Sequence, residues 1–131
     1  MNVKSKLPIV PETMARPLAA YSPGFHCGSM LFVSGMLSLN QAGNVVGKGD
    51  VTAQTEQVID NIRLVLEKAG GTLEDVVMMQ IFLRSFSDYA EMNKVYAKYF
   101  GGQPPARFCV SADLVAPDFL VEMAAIAMLD K

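Results

Sequence analysis

The sequence predicts an α+β domain in which two helices cover one face of a mixed six-stranded sheet. Three features predict this fold: short apolar runs typical of strands, two stretches with apolar residues at three- and four-residue steps, and the order strands, helix, strand, helix, strands. The 131 residues fit one domain, residues 1–131, because two domains would each approach the lower size limit for a stable core.

The amino-terminal part predicts an irregular arm followed by two short strands. Residues 1–24 contain four prolines, which favour an extended arm with one short edge strand at about Lys4 to Ile9. Residues 25–34 indicate two strands broken at Cys27-Gly28-Ser29. Gly35 is then expected to end or bend the second of them.

The middle of the chain predicts a helix and then an interior strand. Apolar residues at helical spacing begin near Asp50 or Thr52, and Gly70-Gly71 is expected to end that helix. Residues 76–83 are apolar on both faces, which is typical of a strand covered from two sides.

A second helix is predicted after that strand. Ser85 and Asp88 have the spacing of a capping box, which marks a helix start. One stripe of this helix combines aromatic side chains with a single amide: Phe86, Tyr89, Asn93, Tyr96 and Phe100.

Two last strands, at about Ala106 to Ala112 and Phe119 to Leu129, complete the predicted sheet. Two helices can cover only one of its faces, whereas the strands are apolar on both sides. Charged residues also make up only 18% of the chain, against a typical share of roughly 25%. We therefore expect other copies of the chain to cover the open face, in a homo-oligomer.

Composition excludes several classes of protein. With 51% apolar residues and a mean hydropathy of +0.27, the chain cannot be intrinsically disordered. Its net charge of -2, without a basic block, argues against a nucleic-acid partner. No apolar run reaches the roughly 18 residues that a membrane span needs, and Pro8 and Pro11 interrupt the region where a signal peptide would be apolar. A cytoplasmic protein without a membrane partner is expected.

The candidate functional residues are polar side chains set into apolar elements: Arg107, Glu122 and Asn93. Either Arg107 and Glu122 form a structural ion pair while Asn93 satisfies a backbone group, or Arg107 faces a cavity and binds a carboxylate through its planar fork. In the second interpretation Glu122 lies beside Arg107 and handles protons. The sequence leaves both interpretations open.

The cysteines and the single histidine give weaker signals. Cys27 and Cys109 lack C-x-x-C spacing, so free thiols are expected rather than a disulfide or a metal site. Cys109 could be a nucleophile, but a cysteine inside a strand is usually a small core residue. His26 is interpreted as structural. No phosphate loop or buried lysine indicates a cofactor.

Several segments together resemble the Rid (YjgF-type) family of reactive-intermediate deaminases, over about Pro17 to Leu129. They are residues 20–24 (Ala-Tyr-Ser-Pro-Gly), 31–35 (Leu-Phe-Val-Ser-Gly), 67–71 (Glu-Lys-Ala-Gly-Gly), 93–100 (Asn-Lys-Val-Tyr-Ala-Lys-Tyr-Phe), 105–110 (Pro-Ala-Arg-Phe-Cys-Val) and 121–122 (Val-Glu). Residues 107–109, 114–118 and 120–122 look most similar to the RutC-type branch, whereas Tyr21 is more typical of the general branch and Met36 departs from the polar residue common in the family.

The resemblance implies a chorismate-mutase-like subunit in a homotrimer with sites between subunits. It also implies cofactor-free hydrolysis of an enamine or imine acid, of the 2-aminoacrylate or 3-aminoacrylate class, to a carbonyl acid and ammonia. By the same resemblance Arg107 would hold the substrate carboxylate, Glu122 would position or deprotonate the attacking water, and the backbone of Cys109 would help place that water or the substrate nitrogen. Other residues would line the pocket: Tyr21, Asn93, Phe108, Gly35 and Met36.

Two further functions are compatible with the sequence. One is a non-catalytic trimer that binds small carboxylates or acts as a holdase, which a chain with nine methionines would permit. The other is a ribonuclease, which the acidic pI near 5.3 and the absence of a basic, aromatic-lined strip disfavour.

Overall fold

The computed structural model describes residues 6–129, which form one six-stranded sheet and two helices. The strands are β1 (Lys6–Ile9), β2 (Gly24–Cys27), β3 (Met30–Met36), β4 (Val76–Leu83), β5 (Ala106–Ser111) and β6 (Val121–Met128). The helices are α1 (Val51–Lys68) and α2 (Tyr89–Phe100), with single 3-10 turns at Leu73–Asp75 and Phe86–Asp88. The predicted α+β class and six-stranded sheet are confirmed. Lys4 and Ser5 of the predicted first strand lie outside the described residues.

The first helix begins and ends where the sequence predicts. The side chain of Asp50 accepts a hydrogen bond from the backbone N–H of Ala53, which caps the amino terminus. At the other end Gly70 adopts a φ of 89°, a left-handed conformation that an L side chain rarely adopts.

The second helix begins one turn later than the sequence suggests. The Ser85 hydroxyl accepts the backbone N–H of Ser87 and starts a 3-10 turn, and the α-helix begins only at Tyr89. Phe86 is on that preceding turn and is 56% exposed, so its expected place on the helical stripe is wrong.

The sheet has the strand order β1-β2-β3-β6-β4-β5. The central strand β6 pairs antiparallel with β3 and β4, while β5 lies parallel to β4 at one edge. The register shifts between Val33 and Met36, so β3 bends at Gly35 as predicted.

Both helices pack on one face of the sheet, and the core lies between these layers. Alternate residues of β4 and β6, such as Ile81 and Met123, point into this core and are fully buried. They meet apolar side chains from the helices, including Ile59, Ile62 and Met92. Burying each such side chain contributes roughly 1.5–3 kcal/mol.

The opposite face of the sheet is apolar and uncovered within one chain. Five large side chains on it are each about two-fifths exposed: Phe25, Phe32, Phe108, Val110 and Met128. The predicted two-sided cover of β4 is therefore not supplied by a single chain. Among residues 6–129, neither helix is long and apolar enough to cross a lipid bilayer.

Candidate active site

Arg107 points toward α2, where three side chains of that helix hold its guanidinium. Its Nη2 atom donates to Asn93 Oδ1 at 2.8 Å and to Tyr89 Oη at 3.2 Å. The guanidinium carbon lies 4.8 Å from the ring centroid of Tyr96 and 5.8 Å from that of Tyr89. Positions 89, 93 and 96 are successive turns of one helical stripe, so all three face the same strand. The Asn93 amide therefore orients Arg107 and does not satisfy a backbone group.

No carboxylate neutralises this cation within the part of the chain that the structure describes. The ion pairs found between residues 6 and 129 are on the surface, and none of them includes Arg107. The interpretation of Arg107 and Glu122 as a structural ion pair is therefore wrong for a single chain. Arg107 instead opens into a cleft of about 480 Å³ that Phe86, Tyr89, Phe108 and Cys109 also line, which we name the arginine cleft.

Glu122 points to the opposite face of the sheet. It alternates along β6 with Val121 and Met123, which are buried under the helices. Its carboxylate is so close to Gly35 that a Cβ atom added there would overlap Glu122 Oε2. Burial raises the pKa of Glu122 above the usual value of 4.5. A carboxylate in this setting is a stronger base than an ordinary surface glutamate.

Glu122 lines a second cleft, of about 390 Å³, which we name the glutamate cleft. Tyr21, Gly35 and Val115 are also in its wall. Met36 is buried and lines a smaller, mainly apolar pocket next to it, which shares Tyr21 and Gly35 with the glutamate cleft. Phe108 and Met36 therefore do not form one pocket wall within a chain, because Phe108 belongs to the arginine cleft.

The structure thus separates the predicted site residues into two groups. Arg107, Asn93, Phe108 and Cys109 lie at or beside the arginine cleft, whereas Tyr21, Gly35 and Glu122 line the glutamate cleft. The expectation that Glu122 lies beside Arg107 is wrong for a single chain. The physical reason for this error is strand alternation. Neighbouring residues of a strand lie on opposite faces of the sheet, and the sequence alone does not say which face each residue occupies.

Cys109 is unsuited to be a nucleophile. Burial raises the pKa of its thiol above the usual value of 9.0, and the nearby Arg107 cation only partly opposes that shift. The thiol is therefore protonated at neutral pH, whereas the thiolate is the reactive form. His26 is on β2, four strand positions away from β5, at roughly 19 Å if neighbouring strands lie ~4.8 Å apart. Within residues 6–129 no three metal-ligating side chains cluster.

Two polar side chains that the sequence analysis missed hold the loop before Glu122, residues 112–120. Gln54 Nε2 donates to the carbonyl of Asp118 at 2.9 Å, and its Oε1 accepts the N–H of Leu120 at 2.8 Å. Arg84 Nε donates to the carbonyl of Phe119 at 2.8 Å, and Arg84 Nη2 donates to the carbonyl of Ala116 at 2.6 Å. Gln54 is fully buried. Its place as a polar residue on the apolar stripe of α1 is the sequence feature from which a structural role could have been predicted.

Comparisons with known proteins show the family and the fold. Residues 12–129 match the sequence model of a family described as Endoribonuclease L-PSP. A conserved Rid-family protein, YyfA from Yersinia pestis, is similar in structure, with 32% identity over 95% of this chain and 99% of that one and a TM-score of 0.88. The YjgF gene product of E. coli is 30% identical over 93% and 98% of the two chains, with a TM-score of 0.86. E. coli TdcF, solved with bound serine, is 29% identical over 95% and 100%, with a TM-score of 0.87.

Proposed function

Because the chain belongs to the Endoribonuclease L-PSP family, which includes the YjgF and Rid proteins, we propose that it hydrolyses a reactive enamine or imine carboxylic acid without a cofactor. The products are the carbonyl acid and ammonia. The observation that carries this proposal is the Arg107 guanidinium, which faces a cleft and is held there by neutral groups alone.

Arg107 binds the carboxylate of the substrate. A cation without a carboxylate partner attracts an anion, and the planar guanidinium can offer a carboxylate two parallel hydrogen bonds. Asn93 and Tyr96 fix the guanidinium in advance, so little side-chain entropy is lost when the substrate binds. The serine bound to E. coli TdcF is itself a small amino acid with a carboxylate, which supports a ligand of this class.

Glu122 handles the proton in the chemical step. An enamine acid first tautomerises to the imine, as one proton leaves nitrogen and one adds to carbon. The imine carbon is electrophilic, so water can attack it when a base removes one proton from that water. The new C–O bond forms as the C=N electron pair moves to nitrogen, and the proton held by Glu122 then passes to that nitrogen to give a carbinolamine. Glu122 next transfers the proton of the carbinolamine hydroxyl to the nitrogen, so that the C=O bond forms, the C–N bond breaks and ammonia leaves. The raised pKa of Glu122 brings this carboxyl closer to the neutral pH at which a base and acid must both act.

The two clefts join between copies of the chain. Arg107 and Glu122 face opposite sides of one sheet, so a site that uses both needs the arginine cleft of one copy and the glutamate cleft of another. The uncovered apolar face supplies a surface for this assembly, and a homotrimer closes it symmetrically. In the joined site Tyr21 and Gly35 line the water side, while Phe108 and the backbone of Cys109 line the carboxylate side. Met36 backs the adjoining apolar pocket of about 40 Å³, which leaves room for a small apolar group of the substrate.

Substrates of the 2-aminoacrylate and 3-aminoacrylate class fit this assignment, because each combines a carboxylate with a nitrogen on an unsaturated carbon. The likeness of residues 107–109 and 120–122 to the RutC-type branch favours 3-aminoacrylate. RNA cleavage, which the family description suggests, is disfavoured by the net charge of -2 and the absence of a basic strip along the sequence.

Subunit mixing tests both the reaction and the shared site. Arg107→Ala and Glu122→Gln proteins are each expected to be inactive when 3-aminoacrylate or 2-aminoacrylate is generated in a coupled ammonia assay. After the two are unfolded together and refolded, mixed oligomers contain sites with an intact Arg107 from one copy and an intact Glu122 from another. Ammonia release should then return. Ammonia release by the wild type no faster than spontaneous hydrolysis would contradict the deaminase proposal. Full activity of both single variants would contradict the roles of Arg107 and Glu122, and no recovery on mixing would contradict the shared site.

A further inference from the structure

The hydroxyl of Tyr89 lies in the arginine cleft, in contact with the group that binds substrate in the proposed function. It accepts a hydrogen bond from Arg107 Nη2 at 3.2 Å. The ring is 41% exposed and packs edge-on against Phe86, with centroids 6.3 Å apart. Nothing in the sequence singled out this phenol from the other members of its helical stripe.

The hydrogen bonds of Arg107 limit how a carboxylate can bind. Nη2 carries two N–H groups, and the bonds to Asn93 and Tyr89 use both of them. A carboxylate held at two points of a guanidinium needs Nη2 together with either Nη1 or Nε. An incoming carboxylate must therefore displace one of the two acceptors.

Tyr89 is the acceptor that the carboxylate displaces from Arg107 Nη2. Its bond to Arg107 is the longer one and is exposed, whereas the bond to Asn93 Oδ1 measures 2.8 Å and is partly buried. A phenol can also donate, which the amide oxygen of Asn93 cannot do. Once displaced, the Tyr89 hydroxyl has a carboxylate oxygen next to it, and that oxygen only accepts hydrogen bonds.

We propose that Tyr89 is a substrate-binding residue that exchanges roles: it accepts a hydrogen bond from Arg107 in the free protein and donates one to the carboxylate of the bound substrate. This inference rests on the proposed function of Arg107 as the carboxylate site. The exchange replaces a neutral acceptor by a charged one and adds a donor to the carboxylate, so it favours free acids over their amides.

The test compares Tyr89→Phe with Tyr99→Phe. The first variant keeps the ring over Arg107 and removes only the hydroxyl, and the second removes a hydroxyl from the same helix outside the arginine cleft. Calorimetry measures the affinity of the oligomer for pyruvate, a carbonyl acid, and for its neutral amide. Tyr89→Phe loses one charge-assisted hydrogen bond to the bound carboxylate, but in the free variant no bond between Arg107 and residue 89 has to break first. The net result should be pyruvate binding that is weaker by roughly 5- to 10-fold.

Three expected results support the proposal, and three others would contradict it or the carboxylate site. Tyr99→Phe should bind pyruvate like the wild type, and the amide should bind equally to all three proteins. KM for the imine acid should rise in Tyr89→Phe by a similar factor while kcat changes by less than about twofold, as loss of uniform binding predicts. Unchanged or tighter pyruvate binding in Tyr89→Phe would overturn the role exchange, and so would an equal loss for pyruvate and the amide. Retention of pyruvate binding by Arg107→Ala would instead contradict the carboxylate site itself.

Discussion

Arg107 and Glu122, the two charged residues set into strands β5 and β6, point to opposite faces of one sheet. Arg107 meets Tyr89, Asn93 and Tyr96 on the helix side, and Glu122 meets Gly35 on the other side of the sheet. Each charge lies in a cleft of its own. A reaction that needs both side chains therefore needs two copies of the chain.

Replacing Arg107 by alanine should nearly abolish turnover. The variant loses two charge-assisted hydrogen bonds to the carboxylate, worth roughly 1.5–3 kcal/mol each, so kcat/KM should fall by about 10²- to 10⁴-fold. Arg107→Lys keeps the charge without the planar fork and should lose less. Steady-state ammonia release gives the comparison, with Arg63→Ala on α1, outside both clefts, as the control. Wild-type kcat/KM in Arg107→Ala would rule out carboxylate binding by this residue.

The acid limb of the pH profile should report Glu122. Because burial raises its pKa above 4.5, Glu122 is protonated over a wider range of acidic pH than a surface glutamate and cannot accept a proton there. We expect kcat/KM to fall as the pH drops through that raised pKa. Stopped-flow ammonia release between pH 4.5 and 8 measures it. An acid limb with the same midpoint in Glu122→Gln would show that another group titrates.

The same raised pKa predicts a pH-dependent difference in stability between the wild type and Glu122→Gln. The folded wild type binds more protons than the unfolded chain between pH 4.5 and the raised pKa, so its stability falls as the pH rises through this window. Glu122→Gln has no such cost and should be the more stable protein at pH 7. Urea unfolding at pH 4 and pH 7 measures both free energies of unfolding. If the stability advantage of Glu122→Gln over the wild type grew toward low pH instead, the pKa of Glu122 would not be raised in the folded protein.

Substituting Gly35 by alanine should damage catalysis more than stability. The new Cβ would overlap Glu122 Oε2, the flexible end of a side chain, so the carboxylate moves while the strand stays in place. A misplaced base should lower kcat by at least about 10-fold, since positioning alone is worth several kcal/mol. Gly102→Ala is the matched control, because a Cβ there meets no atom within 4 Å. Equal kcat for the two variants would mean that Glu122 is not held by this contact.

Gln54→Met should destabilise the fold. The substitution keeps the length of the side chain but leaves the Leu120 N–H and the carbonyl of Asp118 without their buried partner. Because each orphaned group costs roughly 1–3 kcal/mol, the free energy of unfolding should fall by about 3 kcal/mol. Thermal unfolding followed by circular dichroism provides the measurement, and the exposed Gln41→Met serves as control. Identical Tm values would show that the loop 112–120 does not depend on Gln54.

A charge on the open face of the sheet should dissociate the oligomer and stop turnover together. Phe32→Glu places a carboxylate at the middle of that face, where burial against another copy would be costly. Light scattering gives the mass and the coupled assay gives the rate. An active monomer would contradict a site completed between copies.

The elements of the fold follow from local sequence signals. Asp50 and Gly70 mark the ends of α1 because a cap and a left-handed residue are local requirements of the backbone. The apolar run at 76–83 forms β4 with the predicted bounds. The candidate site residues can also be recognised locally, because each interrupts an apolar pattern: Arg107, Glu122 and Asn93.

By itself the sequence determined which segments are helices and strands, where α1 and β4 begin and end, and which polar side chains are costly to bury. Only the tertiary structure decided which face of the sheet each of those side chains occupies and which partners meet it. Alternation along a strand fixes the relative orientation of neighbouring residues, but the packing of α1 and α2 on the sheet decides which set faces the helices. For that reason Arg107 lies against α2, and Glu122 lies on the opposite face of the same sheet.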